Sequence, residues 1–133
     1  MKSINYLVLF VFALVVTCYA CKKDTSSPLT PKEMVTAHSW KLSSLKINNV
    51  ESVMDCDKDD ILTFSANGTY LMNVGSITCY ANDSNSSGTW SVTGDGKTMM
   101  IDTESAASVI TASKIVLTII NGTETSIMIL IPV

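Results

Sequence analysis

The chain contains no arginine and a single histidine, His38. Proteins that read nucleic-acid bases or grip phosphates lean on the bidentate fork of arginine, so both partner classes are disfavoured. With one imidazole, a Ser-His-Asp or Cys-His arrangement has only one candidate base. His38 precedes a strand-like run and reads as a surface or hairpin-end residue. Charge is sparse, at 16% of residues. The longest apolar run, Ile4 to Thr17, is interrupted by Asn5 and Tyr6 and falls short of the roughly 20 residues that span a hydrocarbon core. A length of 133 residues allows one domain.

What the N-terminus does have is a short basic start, Met1-Lys2-Ser3, followed by that apolar run and then small residues, the pattern of an export signal. Ala20 before Cys21 resembles a lipobox, in which the cysteine thiol takes a diacylglycerol. Thr17 before Cys18 is a poorer fit. The expected division is therefore a lipoprotein-type signal peptide over 1–20, a lipidated cysteine (Cys21) with a polar tether over 21–29, and a folded domain over 30–133. A plain secreted protein and an uncleaved anchor helix are the competing readings. Lipid at Cys21 would place the domain on a membrane of the cell envelope, the outer membrane being the expected one.

Cysteine bookkeeping follows. Four cysteines stand at positions 18, 21, 56 and 79. Cleavage removes the first and lipid occupies the second, so Cys56 and Cys79 remain as a pair, expected as a disulfide in an oxidising compartment. Zinc is the competing reading, but two cysteines and one histidine make a poor tetrahedral set. Without Lys2, eight lysines face twelve acidic residues, a net charge of −4. Such a balance favours solubility.

Thr30-Pro31-Lys32-Glu33 is a capping-box pattern with proline at the first helical position, predicting a short helix to about Ala37. Beyond it the periodicity turns to two. Trp40-Lys41-Leu42 and Leu45-Lys46-Ile47 alternate in opposite registers, with Ser43-Ser44 as a bulge and Asn48-Asn49 as a turn. Ile61 to Phe64 and Thr69 to Val74 form the clearest hairpin. A three-residue loop with Gly68 in the left-handed conformation sets Phe64 opposite Tyr70 and Leu62 opposite Met72. Extending that register places Cys56 opposite Cys79 or within one residue of it, with a bulge near Gly75 absorbing the difference. Ala81 to Gly88 reads as a polar loop. Thr89 to Val92, Lys97 to Ile101, Ser108 to Ala112, Lys114 to Ile120 and Ser126 to Val133 read as further strands. About eight strands with short connections predict an all-β, up-and-down meander barrel with a short N-terminal helix. The last two strands are apolar on both faces, whereas a wall with water outside alternates. Their outer face is expected to be covered, by the helix carrying Met34 and Val35, by another subunit or by a membrane surface.

These residues resemble a known family, the lipocalin-like domains of Bacteroidetes lipoproteins. The resemblance rests on the lipobox and tether, Ser39-Trp40-Lys41-Leu42, Cys56 followed by acidic residues, and Leu62-Thr63-Phe64. It continues through Asn67-Gly68-Thr69-Tyr70, Cys79 and Gly88-Thr89-Trp90-Ser91-Val92. It departs at Ser39, where that family usually has glycine, and beyond Val92 it holds only as generic strands. The resemblance implies a small eight-stranded lipocalin-like barrel.

No nucleophile-base-orienter set is visible, so no enzyme is expected, nor any cofactor or metal. Asp55, Asp57, Asp59 and Asp60 superficially suggest a calcium loop, but an EF-hand needs glycine and glutamate where Asp60 and Ala66 stand. Gly94-Asp95-Gly96-Lys97-Thr98 echoes the end of a phosphate loop without its spacing or its following helix, and reads as a hairpin turn. Trp40, Phe64, Tyr70, Met72 and Trp90 are expected to point inward, either as filled core or as the lining of a pocket for a small hydrophobic molecule. Two functions remain open from sequence: a lipid-anchored binder of such a ligand, or a structural or protein-interaction module of the envelope using its outer face or loops, including self-association through the apolar C-terminal strands.

Overall fold

The computed structural model describes residues 27–133, so the expected signal peptide and the Cys21 attachment lie outside the described residues. The chain opens with helix α1 (Pro31–Thr36). Six residues are too few for a helix to stand alone in water, and this one is held at both ends. Thr30 accepts from the Glu33 backbone N–H, and the Glu33 carboxylate accepts from the Thr30 N–H at 2.7 Å. In the last turn, the indole N–H of Trp40 donates to the Val35 carbonyl at 2.8 Å, satisfying a group that a helix end leaves orphaned.

Nine strands follow: β1 (Ser39–Ile47), β2 (Val50–Glu51), β3 (Ile61–Phe64), β4 (Thr69–Asn73), β5 (Ser86–Val92), β6 (Thr98–Ile101), β7 (Glu104–Thr111), β8 (Lys114–Asn121) and β9 (Glu124–Pro132). Each strand from β3 onward pairs antiparallel with the next, and β1 pairs with both β3 and β9. Eight strands thus close into a meander barrel, with β2 a two-residue spur on β1. Closure removes the sheet edges.

Much of the local pattern is as the sequence predicts. Leu42 pairs with Leu130 and Ser44 with Ile129, leaving Ser43 as the bulged residue. That extra residue brings Leu45 opposite Met128, so β1 turns the buried Trp40 and the half-buried Leu42 inward before the bulge and Leu45 inward after it. Asn48 and Asn49 both take positive φ, at 50° and 68°, the pair of left-handed residues that a tight hairpin of right-handed twist requires. Phe64 faces Tyr70 and Leu62 faces Met72, and Gly68 sits at φ 88° in the loop between them.

Four expectations are corrected. Strand β5 begins at Ser86, inside the stretch read as a loop, and the irregular connection is residues 74–85. Strand β7 begins at Glu104, not Ser108. Its early residues are small because Ala106 pairs with the fully buried Met99, which fills the space between them. Cys56 lies in a single 3-10 turn (Asp55–Asp57) and Cys79 in the 74–85 connection, so no strand ladder with a bulge at Gly75 joins them. Finally, α1 packs against β3, β5 and β7 at one end of the barrel and does not lie over β8 and β9. The outward residues of those strands stay at the surface. Val116, Ile127, Ile129 and Ile131 are half-buried, and Ile120 is 72% exposed.

The core occupies the helix end. Val35, Trp40, Phe64, Trp90, Met99, Ala106, Ile115, Leu117 and Leu130 form one buried cluster. Phe64 meets Trp90 edge-on at 5.1 Å between ring centres. The Trp90 indole N–H donates to the Ser65 carbonyl at 2.9 Å, so both buried tryptophans have a polar partner.

Candidate ligand cavity at the open end of the barrel

The end opposite α1 is not filled. Its wall is built by alternation: inward residues of β1, β3, β4, β6 and β9, with Leu130 shared with the packed layer, line a cavity of about 290 Å³. Leu42, Leu62, Met72, Ile101, Met128 and Leu130 supply apolar surface, Tyr70 stands on the wall, and Asp57 and Asp60 bring carboxylates. A neighbouring depression of about 400 Å³, lined by Asp102, Thr103, Glu104, Ala106, Leu117 and Ile119, shares Ile101 and Met128 as a common wall. An apolar concavity with a few polar groups is the usual form of a small-molecule site.

The irregular segment that brings Asp57 and Asp60 to this cavity is fastened to the 74–85 connection. The Cys56–Cys79 disulfide joins them, with 5.3 Å between the α-carbons. Beside it, Asp59 accepts from the Ile77 N–H at 3.0 Å and from the Ser76 hydroxyl, and Asp60 accepts from the Gly75 N–H at 2.9 Å. The Ile77 N–H holds the Asp59 carboxyl below the usual carboxylate range. Asp57 accepts from the Met54 N–H at 2.9 Å, and Asp55 is paired with Lys58 at 2.7 Å. Each member of the acidic run that superficially suggests a calcium loop thus commits one oxygen, Asp57, Asp59 and Asp60 to backbone N–H groups and Asp55 to Lys58. Cys56, Asp57 and Cys79 lie close enough to hold a metal ion, but sulfurs joined to each other offer no thiolate ligand.

A second polar network crosses the wall. Asp102, in the β6–β7 turn at φ 53°, accepts from the Thr89 N–H at 2.8 Å and from the Tyr70 hydroxyl at 2.7 Å. It reaches Tyr70 by passing over Gly88, where any Cβ would collide with the carboxylate. This is the physical reason for glycine in Gly88-Thr89-Trp90. The Thr89 N–H, and after it the Tyr70 hydroxyl, hold the Asp102 carboxyl below the usual range. The same bond raises Tyr70 above the ordinary phenol value. A depressed carboxyl stabilises the fold above its unfolded-state pKa and loses that contribution as pH falls through its folded value. Asp102→Asn should therefore lower Tm at pH 7, and the gap to the wild type should shrink below about pH 4. Paired thermal melts from pH 2 to 8 check this; a gap that does not change with pH would remove the charged form from the account.

The five inward residues singled out from sequence divide between two regions. Trp40, Phe64 and Trp90 belong to the packed cluster, while Tyr70 and Met72 line the cavity. Sequence reasoning missed Leu42, Leu62, Ile101, Met128, Leu130, Asp57 and Asp60 as wall residues. The period-two alternation marks the apolar ones as inward, but not which layer of the barrel they reach. His38 is exposed and set edge-on to Trp40 at 5.9 Å, away from the cavity. Asp95 of the Gly94–Thr98 turn caps Thr93 and Lys97, as a hairpin turn requires.

Among curated proteins, none matches this chain significantly. Residues 36–127 match the lipocalin-like domain family, a span running from the end of α1 well into β9 and so covering most of the closed meander. With the eight-stranded barrel, the helix-plugged end and the cavity at the other, that match establishes that the chain belongs to the lipocalin-like domain family.

Proposed function

We propose that the chain is a lipid-anchored binding protein, not an enzyme, whose barrel takes a small hydrophobic molecule into the cavity at its open end. The observation that carries this reading is the half-filled interior: a packed layer at the helix end, and beyond it about 290 Å³ lined chiefly by apolar side chains. Titration with the uncharged fluorophore N-phenyl-1-naphthylamine should show saturable one-to-one binding. Met72→Trp, which fills the cavity, should weaken it by roughly tenfold, about 1.4 kcal/mol. Val109→Asp, on the outer wall where Val109 is 60% exposed, should leave it unchanged. Binding that survives Met72→Trp and falls with Val109→Asp would move the site to the outer face.

The anchoring half of the proposal is supported by the Met1 to Cys21 pattern. Cys21→Ala should shift the protein from the membrane to the soluble fraction and remove label from a lipid precursor. Retention on the membrane without lipid label would overturn it. A second reading, an interaction module, is favoured by one observation. The register puts Val109, Val116 and Ile129 side by side, with Ile127 and Ile131 flanking along β9, on the outward face of β7–β9. A barrel that takes up no apolar probe would promote that face to the working surface.

A further inference from the structure

The polar groups on the cavity wall are all of one kind. Asp57 and Asp60 are half-buried there. Each spends one carboxylate oxygen on a backbone N–H, Asp57 Oδ2 on Met54 and Asp60 Oδ1 on Gly75. Among the described residues, Asp60 Oδ2 receives no N–H or O–H, and Asp57 Oδ1 has beside it only the disulfide-bonded Cys79 Sγ at 3.4 Å, which carries no proton to give. Tyr70 has already given its hydroxyl proton to Asp102, so towards the cavity it too offers only lone pairs. Among the described residues, no lysine lines the cavity. Lys58, the nearest in sequence, is paired with Asp55 at 2.7 Å, and Lys97 lies beside Asp95 in the β5–β6 turn.

We infer that the cavity selects a small apolar molecule ending in a protonated amine, its tail against Leu62, Met72 and Met128 and its ammonium between Asp57 and Asp60. This rests on the carrier reading above and names the ligand's head group. An ammonium supplies three donors and a positive charge where the wall supplies only acceptors and negative charge. A fatty-acid carboxylate of equal length would be a third anion at a site already holding two, in surroundings less screening than bulk water. An alcohol of that length has the tail, one donor and no charge, and measures the apolar contribution alone.

Calorimetric titration of the wild-type protein with octylamine, octanol and octanoate at pH 7 and fixed ionic strength tests this. Octylamine should bind at least tenfold tighter than octanol, and octanoate at least tenfold weaker. In the double variant Asp57→Asn, Asp60→Asn, each new side chain keeps an amide oxygen for the Met54 or Gly75 N–H. The three ligands should then converge on the octanol affinity. Asp95→Asn, an acid removed from the opposite end of the barrel, should leave the wild-type order intact. Three equal affinities in the wild type would overturn the inference and leave the carrier reading standing. A preference for octylamine that persists in the double variant would also overturn it, placing the ammonium elsewhere. If none of the three binds, the carrier reading falls and takes this inference with it.

Discussion

Trp40→Ala should cost about 3–5 kcal/mol, the usual toll for deleting a buried tryptophan, from a domain whose total stability is of order 5–15 kcal/mol. Trp40 is 0% exposed, so every atom removed leaves a space that neighbours on rigid strands cannot fully fill. A second loss comes with it. The Val35 carbonyl, which accepts the indole N–H at 2.8 Å, is left buried without a donor, at a further cost of about 1–3 kcal/mol. The helix is too short to form unaided, so the variant should lose α1 as well as core. Urea titration followed by circular dichroism should show the midpoint falling sharply. Trp40→Phe separates the two effects, since it keeps most of the volume and removes only the donor. A Trp40→Ala protein within about 1 kcal/mol of the wild type, below the cost of even small core truncations, would refute this account of how the barrel's end is plugged.

Breaking the Cys56–Cys79 disulfide should cost on the order of 3 kcal/mol in the chain-entropy model, for a sequence separation of 23 residues. The effect should be both local and global. The bond ties the Asp55–Asp57 turn to the 74–85 connection, two segments outside the strand ladders. Without it they depend on the Asp59 and Asp60 hydrogen bonds to Gly75, Ser76 and Ile77. Amides of residues 74–79 should exchange faster than those of β8 and β9, because segments with few packed contacts open first. The affinity for the uncharged fluorophore should fall too, since Asp57 and Asp60 stand on the cavity wall. Denaturation with and without reductant measures the global term. The pair Cys56→Ser, Cys79→Ser should reproduce the reduced protein and ignore the reductant. Equal stability of the oxidised and reduced forms would sink the prediction.

How far the sequence could be read depended on the range of the interaction involved. The capping box at Thr30 and Glu33, the bulge at Ser43 and the loop at Gly68 are set by residues within a few positions of one another, and each appears where the pattern puts it. Strand β7 was legible only in its second half. Ala106 and Ser108 are buried because Met99 and the Gly96 carbonyl meet them from a neighbouring strand and turn, and small residues leave no apolar alternation to read. Of the covers expected over β8 and β9, the helix is excluded, because the Trp40 to Val35 bond fixes it at the barrel's end. The outward isoleucines of β9 face Lys41 and Lys46 across the β1 seam, and long lysine stems can lie along apolar surface while keeping the charge in water. The cavity was the least visible feature. Leu42 and Trp40 are both inward on one strand, and only the placement of α1 at one end decides that the second is core and the first is wall.

The seam between β1 and β9 pairs Trp40 with Pro132, nearly the two ends of the folded domain. A chain emerging N-terminus first makes β1 early, yet β1 can form only two pairs with β2 and three with β3 until the last strand exists. For the whole of that interval its longer flank is an open edge, the kind that recruits stray strands. Closure is a contact of very high sequence separation and should be the slow, late event of folding. A truncation at the C-terminus would therefore not give a smaller barrel. It would give a sheet with two free edges and an exposed interior.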